Sequence, residues 1–115
     1  MTSNKRTIWE TYADAWAAAG PAEKAAALQQ SCESGCIYRD PQQRADGHDS
    51  LIQVMLAFHQ QVPGGNFVTT HFQEHHDRSL AKWTMHDADG KLLGDGISFG
   101  EYSPEGKLLT MTGFF

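Results

Sequence analysis

Residues 66–115 read NFVTTHFQEHHDRSLAKWTMHDADGKLLGDGISFGEYSPEGKLLTMTGFF. Extended runs alternate here with tight-turn signals. Residues 67–74 and 79–86 read as two strands joined by a turn at His75-His76-Asp77-Arg78. Asp87-Ala88-Asp89-Gly90 is a strong hairpin turn, because aspartate and glycine tolerate the positive φ that such turns need. Residues 91–102 follow as a third strand, Ser103-Pro104-Glu105-Gly106 as a further turn, and 107–115 as the last strand. A four-strand antiparallel meander is the expectation. The last run, KLLTMTGFF, shows little polar alternation, which points to cover on both of its faces.

Upstream, the spacing changes from two to three and four. Ile8, Tyr12, Ala15, Trp16 and Ala19 share one helical face. Gly20-Pro21 stops that helix, and Pro21 suits the first turn of the next, where Glu23 favours the positive N-terminal end. AEKAAALQQ is built of strong helix formers, with Ser34-Gly35 as its break. CIYRD then alternates as a short strand ending at Pro41. After a polar turn, QQRADG, a third helix presents Leu51, Val54, Met55, Phe58 and Val62 on one face, and Pro63-Gly64-Gly65 ends it. Helices followed by strands predict a single α+β domain over residues 1–115, with helices on one face of a curved sheet. A second copy covering the outer face of that sheet, giving a homodimer, is the matching expectation.

Composition narrows the function classes. The 115 residues are 40% hydrophobic and 20% charged, which is ordinary for a globular chain. The net charge of −5 lacks the basic footprint of a nucleic-acid binder. No run reaches the length of a membrane span, and MTSNKRTIWE has no apolar signal core, so a soluble, cytoplasmic protein is expected. Cys32 and Cys36 read as packing cysteines near a helix end, with a local disulfide as the alternative. No cofactor or metal is expected. Gly94-x-Gly96 has no following helix to make a dinucleotide site, and Asp87-x-Asp89-Gly90 lacks the spacing of a calcium loop. His71 and His75 on one strand lie too far apart to share a metal.

Several short signatures, in order, resemble the SnoaL-like branch of the nuclear-transport-factor-like superfamily. They are YADAW in the first helix, YRDP after the first strand, Gly47 before the third helix, HHDRSLAKW, the DADG hairpin, GDGIS and the closing EGKLLTMTGFF. The resemblance spans nearly the whole chain. It implies a cone-shaped fold, shared with ketosteroid isomerases and polyketide cyclases, whose curved sheet and helices enclose a deep pocket for small apolar molecules. Members include isomerases, cyclases, dehydratases and non-catalytic binders, so the fold alone does not choose a reaction.

Candidate site residues follow. Asp40 matches the aspartate before proline that takes the substrate proton in the resembling isomerases. Apolar walls disfavour a carboxylate's charged form and suit it to proton transfer. The alternative is a turn aspartate before Pro41. Tyr38 shares a strand face with Asp40 and is expected to orient the ligand. His76, beside His75 and Asp77, is the second catalytic candidate, with an exposed polar turn as the alternative. Trp16 stands where those isomerases hold an oxyanion tyrosine, and its indole offers one N–H donor; Tyr12 sits one turn earlier on the same stripe. The late-strand acid of that family falls on Ser98, which donates a hydrogen bond but is no useful acid. Trp16, Met55, Phe58 and Trp83 are the expected apolar lining. The function expected is binding of a small hydrophobic molecule with proton transfer by Asp40; a non-catalytic binding or dimeric accessory domain is the alternative.

Overall fold

The structure, a computed structural model, describes residues 4–115. The first helix, α1 (Lys5–Ala15), buries Trp9, Tyr12 and Ala15, three residues apart along one face. It ends at Ala15, one turn short of the expected Ala19. The reason is a lysine. Lys24 lies on α2 (Pro21–Ser31), fully buried, and its Nζ donates to the carbonyls of Ala15 (2.9 Å), Trp16 (3.3 Å) and Ala18 (2.9 Å). Carbonyls at a helix C-terminus have no intrahelical partner and carry partial negative charge, so a buried cation there is both bonded and electrostatically placed. Burial still pushes the Lys24 ammonium below its ordinary pKa. Pro21 opens α2 at its first position, as its spacing after Gly20 predicts.

Strand β1 (Cys32–Asp40) starts directly at the end of α2, earlier than expected, so Ser34-Gly35 is not a break between elements. These two residues lie exposed inside the strand, where the register shifts between Cys32 and Ile37. His48 Nε2 lies 3.1 Å from the Cys32 carbonyl and 3.0 Å from that of Glu33, and donates to acceptors beside this irregularity. Both cysteines are buried and free. The polar turn expected at QQRADG is in fact a hairpin: β2 (Gln43–Asp46) pairs antiparallel with β1, Tyr38 opposite Ala45. Only Ala45 of β2 is buried, so the strand leaves no apolar alternation to read. Helix α3 (Gly47–Gln61) buries Leu51, Ile52 and Met55, and Gly47 enters it with φ 83°.

Strands β3 (Asn66–His75), β4 (Arg78–His86), β5 (Leu92–Tyr102) and β6 (Leu108–Phe114) form the expected antiparallel meander. The sheet does not stop there. Its order is β2-β1-β6-β5-β4-β3: β1, foreseen as a separate short strand, joins β6 in parallel and β2 pairs beyond it, so the four-strand meander is extended to a mixed six-stranded sheet. Parallel partners must be joined by a long crossover, here everything between Asp40 and Leu108. Along β6 the inward residues Leu108, Met111 and Gly113 are buried, whereas Phe114 is exposed, so in the single chain the outer face is open. No helix among the described residues is long and apolar enough to cross a membrane.

Lys24→Met is expected to destabilise the fold by about 2–3 kcal/mol, since it leaves three carbonyl oxygens without their buried donor. A denaturant titration that finds less than about 0.5 kcal/mol removes Lys24 as the brace of the α1 terminus.

Candidate functional site

A cavity of about 550 Å³ lies between the helices and the inner face of the sheet. Its deep end is made by Trp9, Tyr12 and Trp16 of the α1 segment and by Tyr38 of β1, all buried. Val54 and Phe58 of α3 form one side, and Phe67, Trp83 and Ser98 of the sheet form another. Phe115, at the end of the chain, closes over Trp83 at 6.0 Å between ring centroids. The exposed residues Gln42, Gln43, Leu93 and Asp95 mark the mouth.

The rings form a continuous wall. Trp16 meets Tyr38 at 5.4 Å and both Phe58 and Phe67 at 5.8 Å; Phe67 in turn stands edge-on to Trp83 at 5.1 Å. Such tilted contacts are the favoured ones for aromatic quadrupoles. Gly96 lies opposite Trp83 in the β4–β5 register, and any Cβ there would collide with the indole. Trp83 therefore lies across the glycine, and its Nε1 donates to Ser98 Oγ at 2.9 Å. The Ser98 hydroxyl faces the cavity already holding one partner.

Asp40 sits on the wall beside Tyr38, half-buried. Tyr38 Oη donates to Asp40 Oδ2 at 2.6 Å. The main-chain N–H groups of Gln42 and Gln43 donate to Oδ1 at 2.8 and 3.0 Å, and the Gln43 side-chain amide donates to Oδ2 at 3.2 Å. Asp40 is thus a turn aspartate and a cavity residue at once: one oxygen closes the β1–β2 hairpin, and the other faces Tyr38.

Of the expected site residues, Asp40, Tyr38, Tyr12, Trp16, Phe58, Trp83 and Ser98 come together around this one cavity. Met55 does not line it. Completely buried, it packs in the core on the inner side of α3. His76 stands elsewhere too, at the exposed β3–β4 turn with φ 52°, its Nδ1 3.2 Å from that of His75. Its position matches the polar-turn alternative rather than a catalytic one, because the turn closes the far end of the hairpin. Trp9, Phe67, Phe115 and Gln43 were not foreseen. Trp9 could have been found from its helical spacing to Tyr12 and Trp16, and Phe67 from its alternation with Thr69; Phe115 and Gln43 have no local signal. Among the described residues no group of three His, Cys, Asp or Glu is placed to hold a metal ion.

All three tyrosines are pushed above their ordinary pKa by burial. For Tyr38 the neighbouring Tyr12 and Asp40 add to the shift, so Tyr38 stays a donor across the whole neutral range. Tyr102, bonded to Ser79 Oγ at 2.8 Å, is raised to about 12.

No protein-family model and no curated protein matches the chain. Solved structures do. The chain is similar to a proposed isomerase of the SnoaL-like family from Agrobacterium tumefaciens, with 23% identity, 96% of each chain covered and a TM-score of 0.89. It is similar to a proposed SnoaL-like polyketide cyclase from Jannaschia, with 13% identity, 96% of this chain and 83% of that one covered, and a TM-score of 0.77. An NTF2-like protein of unknown function from Cytophaga hutchinsonii matches at 11% identity, over 100% of this chain and 92% of its own, with a TM-score of 0.72. At these identities the likeness is one of fold: the chain has the NTF2-like α+β fold that SnoaL-like proteins share.

A spectrophotometric titration should show almost no tyrosinate at pH 10, where an exposed tyrosine is about half ionised. Because the folded-state values are raised, the tyrosines' contribution to stability is complete below about pH 10 and is lost as the pH climbs through the folded values. Lys24, lowered in the fold, acts in the opposite sense but is a single group. Ionisation and unfolding are expected together above pH 10; early tyrosinate without unfolding would contradict the buried hydroxyls.

Proposed function

We propose that the cavity binds a small, mainly apolar molecule and anchors it at the Tyr38–Asp40 pair. The observation behind this is the joint presence of an aromatic-walled volume of about 550 Å³ and a polar pair on its wall. Ligand sites commonly measure roughly 300–1,000 Å³ and combine apolar walls with a few convergent polar groups. Tyr12, Tyr38 and Ser98 supply hydroxyls, and Asp40 supplies the charge.

Proton transfer is the reaction this arrangement supports, in an isomerisation, cyclisation or dehydration with Asp40 as the base. A carboxylate offers about four lone-pair positions, and here four donors use them. Three of those donors are two main-chain groups and a buried hydroxyl. The fourth, the Gln43 amide, is the longest contact and belongs to an exposed side chain. A substrate that displaces Gln43 gains the Oδ2 lone pair that Tyr38 does not use. The non-catalytic reading is favoured by a different observation: Ser98 is no acid, and its hydroxyl is engaged by Trp83.

Asp40→Asn keeps an Oδ1 acceptor for the hairpin and removes the base. If the protein is an enzyme, turnover falls by about 10²-fold or more, well beyond any change in ligand affinity. Unchanged turnover eliminates Asp40 as the base.

We propose in addition that two copies pair through the outer sheet face. Phe99 of β5 and Phe114 of β6 are 44% and 57% exposed there and contact each other at 5.7 Å. The same face carries Arg78 and Glu101, 3.3 Å apart, so it presents both signs of charge to a second copy. Sedimentation at micromolar concentration should give a dimer that Phe114→Ser dissociates; a monomeric parent protein refutes the pairing.

A further inference from the structure

We infer that the cavity selects a cationic ligand, an amine or quaternary ammonium on an apolar body, and excludes anions. This rests on the binding reading above and adds the ligand's charge class to it.

Three features of the lining carry it. The first is the charge inventory: the lining contains two carboxylates, Asp40 and Asp95, and among the described residues no lysine, arginine or histidine. An anion entering this space would lose its water and meet no compensating charge, which makes its transfer costly. The second is the aromatic content, since all three tryptophans line the cavity together with tyrosines and phenylalanines. The negative face of an aromatic ring attracts a cation, tryptophan most strongly, and attracts it more when water is displaced. A neutral apolar molecule gains the contact area of these rings but not that attraction.

The third feature is the way Asp40 is held. Its oxygens accept from Tyr38, from two main-chain N–H groups and from Gln43. A carboxylate so occupied has little hydrogen-bonding capacity left for a ligand, yet its charge still acts across the cavity. It therefore suits a ligand that needs a nearby negative potential more than a specific acceptor. A quaternary ammonium, which has no N–H to donate, is such a ligand. The carboxylates also stand apart in depth: Asp95 is exposed at the mouth, and Asp40 lies on the wall beside buried Tyr38. This gives a cation an attractive potential along its path inward.

The test uses three probes of similar size: benzyltrimethylammonium, its uncharged carbon isostere neopentylbenzene, and the anion phenylacetate. Tryptophan fluorescence reports binding, because every tryptophan of the chain lines the cavity. Benzyltrimethylammonium should bind at least about ten-fold more tightly than neopentylbenzene, and phenylacetate should bind most weakly. Asp40→Asn should weaken the ammonium about five-fold and leave neopentylbenzene unchanged, with Asp95→Asn, at the exposed mouth, giving a smaller loss in the same direction. Equal affinity for the cation and its isostere, or tighter binding of phenylacetate, overturns the charge selection while leaving the cavity a binding site. Binding by none of the three removes the binding reading, and the charge selection with it.

Discussion

The ammonium of Lys24 reaches three carbonyl oxygens at and just past the end of α1, and the placement of Trp16 on the cavity wall depends on that contact. One of those carbonyls belongs to Trp16, and His59 of α3 bonds to the same oxygen. The backbone of Trp16 is thereby tied to α2 and α3 together, while its ring touches Tyr38, Phe58 and Phe67. Two helices and two strands thus converge on one residue. A buried lysine is costly unless its donors are satisfied. Here the carbonyls at and just past a helix terminus satisfy them.

Asp40 shows a second economy of the same kind. The carboxylate that closes the β1–β2 hairpin through Gln42 and Gln43 also accepts from Tyr38 on the cavity wall. The local turn and the tertiary site share one side chain, so the hairpin's geometry sets where the negative charge stands. Tyr38 is held in turn by its neighbours, Trp16 at one side and the β6 backbone at the other, with Met111 as its register partner. The polar pair on the cavity wall is therefore rigidly mounted.

Much of this was legible locally. The DADG and SPEG turns each require a glycine with positive φ, and Gly90 and Gly106 adopt it, at 83° and 85°. The apolar spacing of α3 located Leu51 and Met55 of the core and Phe58 of the cavity, but not the buried Ile52. What stayed hidden has a common physical character. β2 has one buried residue and no alternation, so only its pairing with β1 makes it a strand. The parallel β1–β6 contact joins residues some seventy positions apart, and nothing in either strand announces its partner. Met55 and Phe58 sit on one helical stripe and look equivalent in sequence, yet the first faces the core and the second the cavity. A periodicity fixes which side of a helix is covered, and it carries no information about whether packed atoms or an empty space do the covering.

The type and order of every element but β2, the DADG and SPEG turns and the conjunction of Tyr38 with Asp40 on one strand face follow from the sequence alone, because they depend on φ/ψ preference and on periods of two and about 3.6 residues. The tertiary structure alone decided the truncation of α1 by Lys24, the extension of the sheet past β6 and the exclusion of His76 from the cavity. It also decided the absence of any cationic side chain from the described lining. Those depend on which distant groups meet in space, a property that the spacing of residues along the chain does not encode.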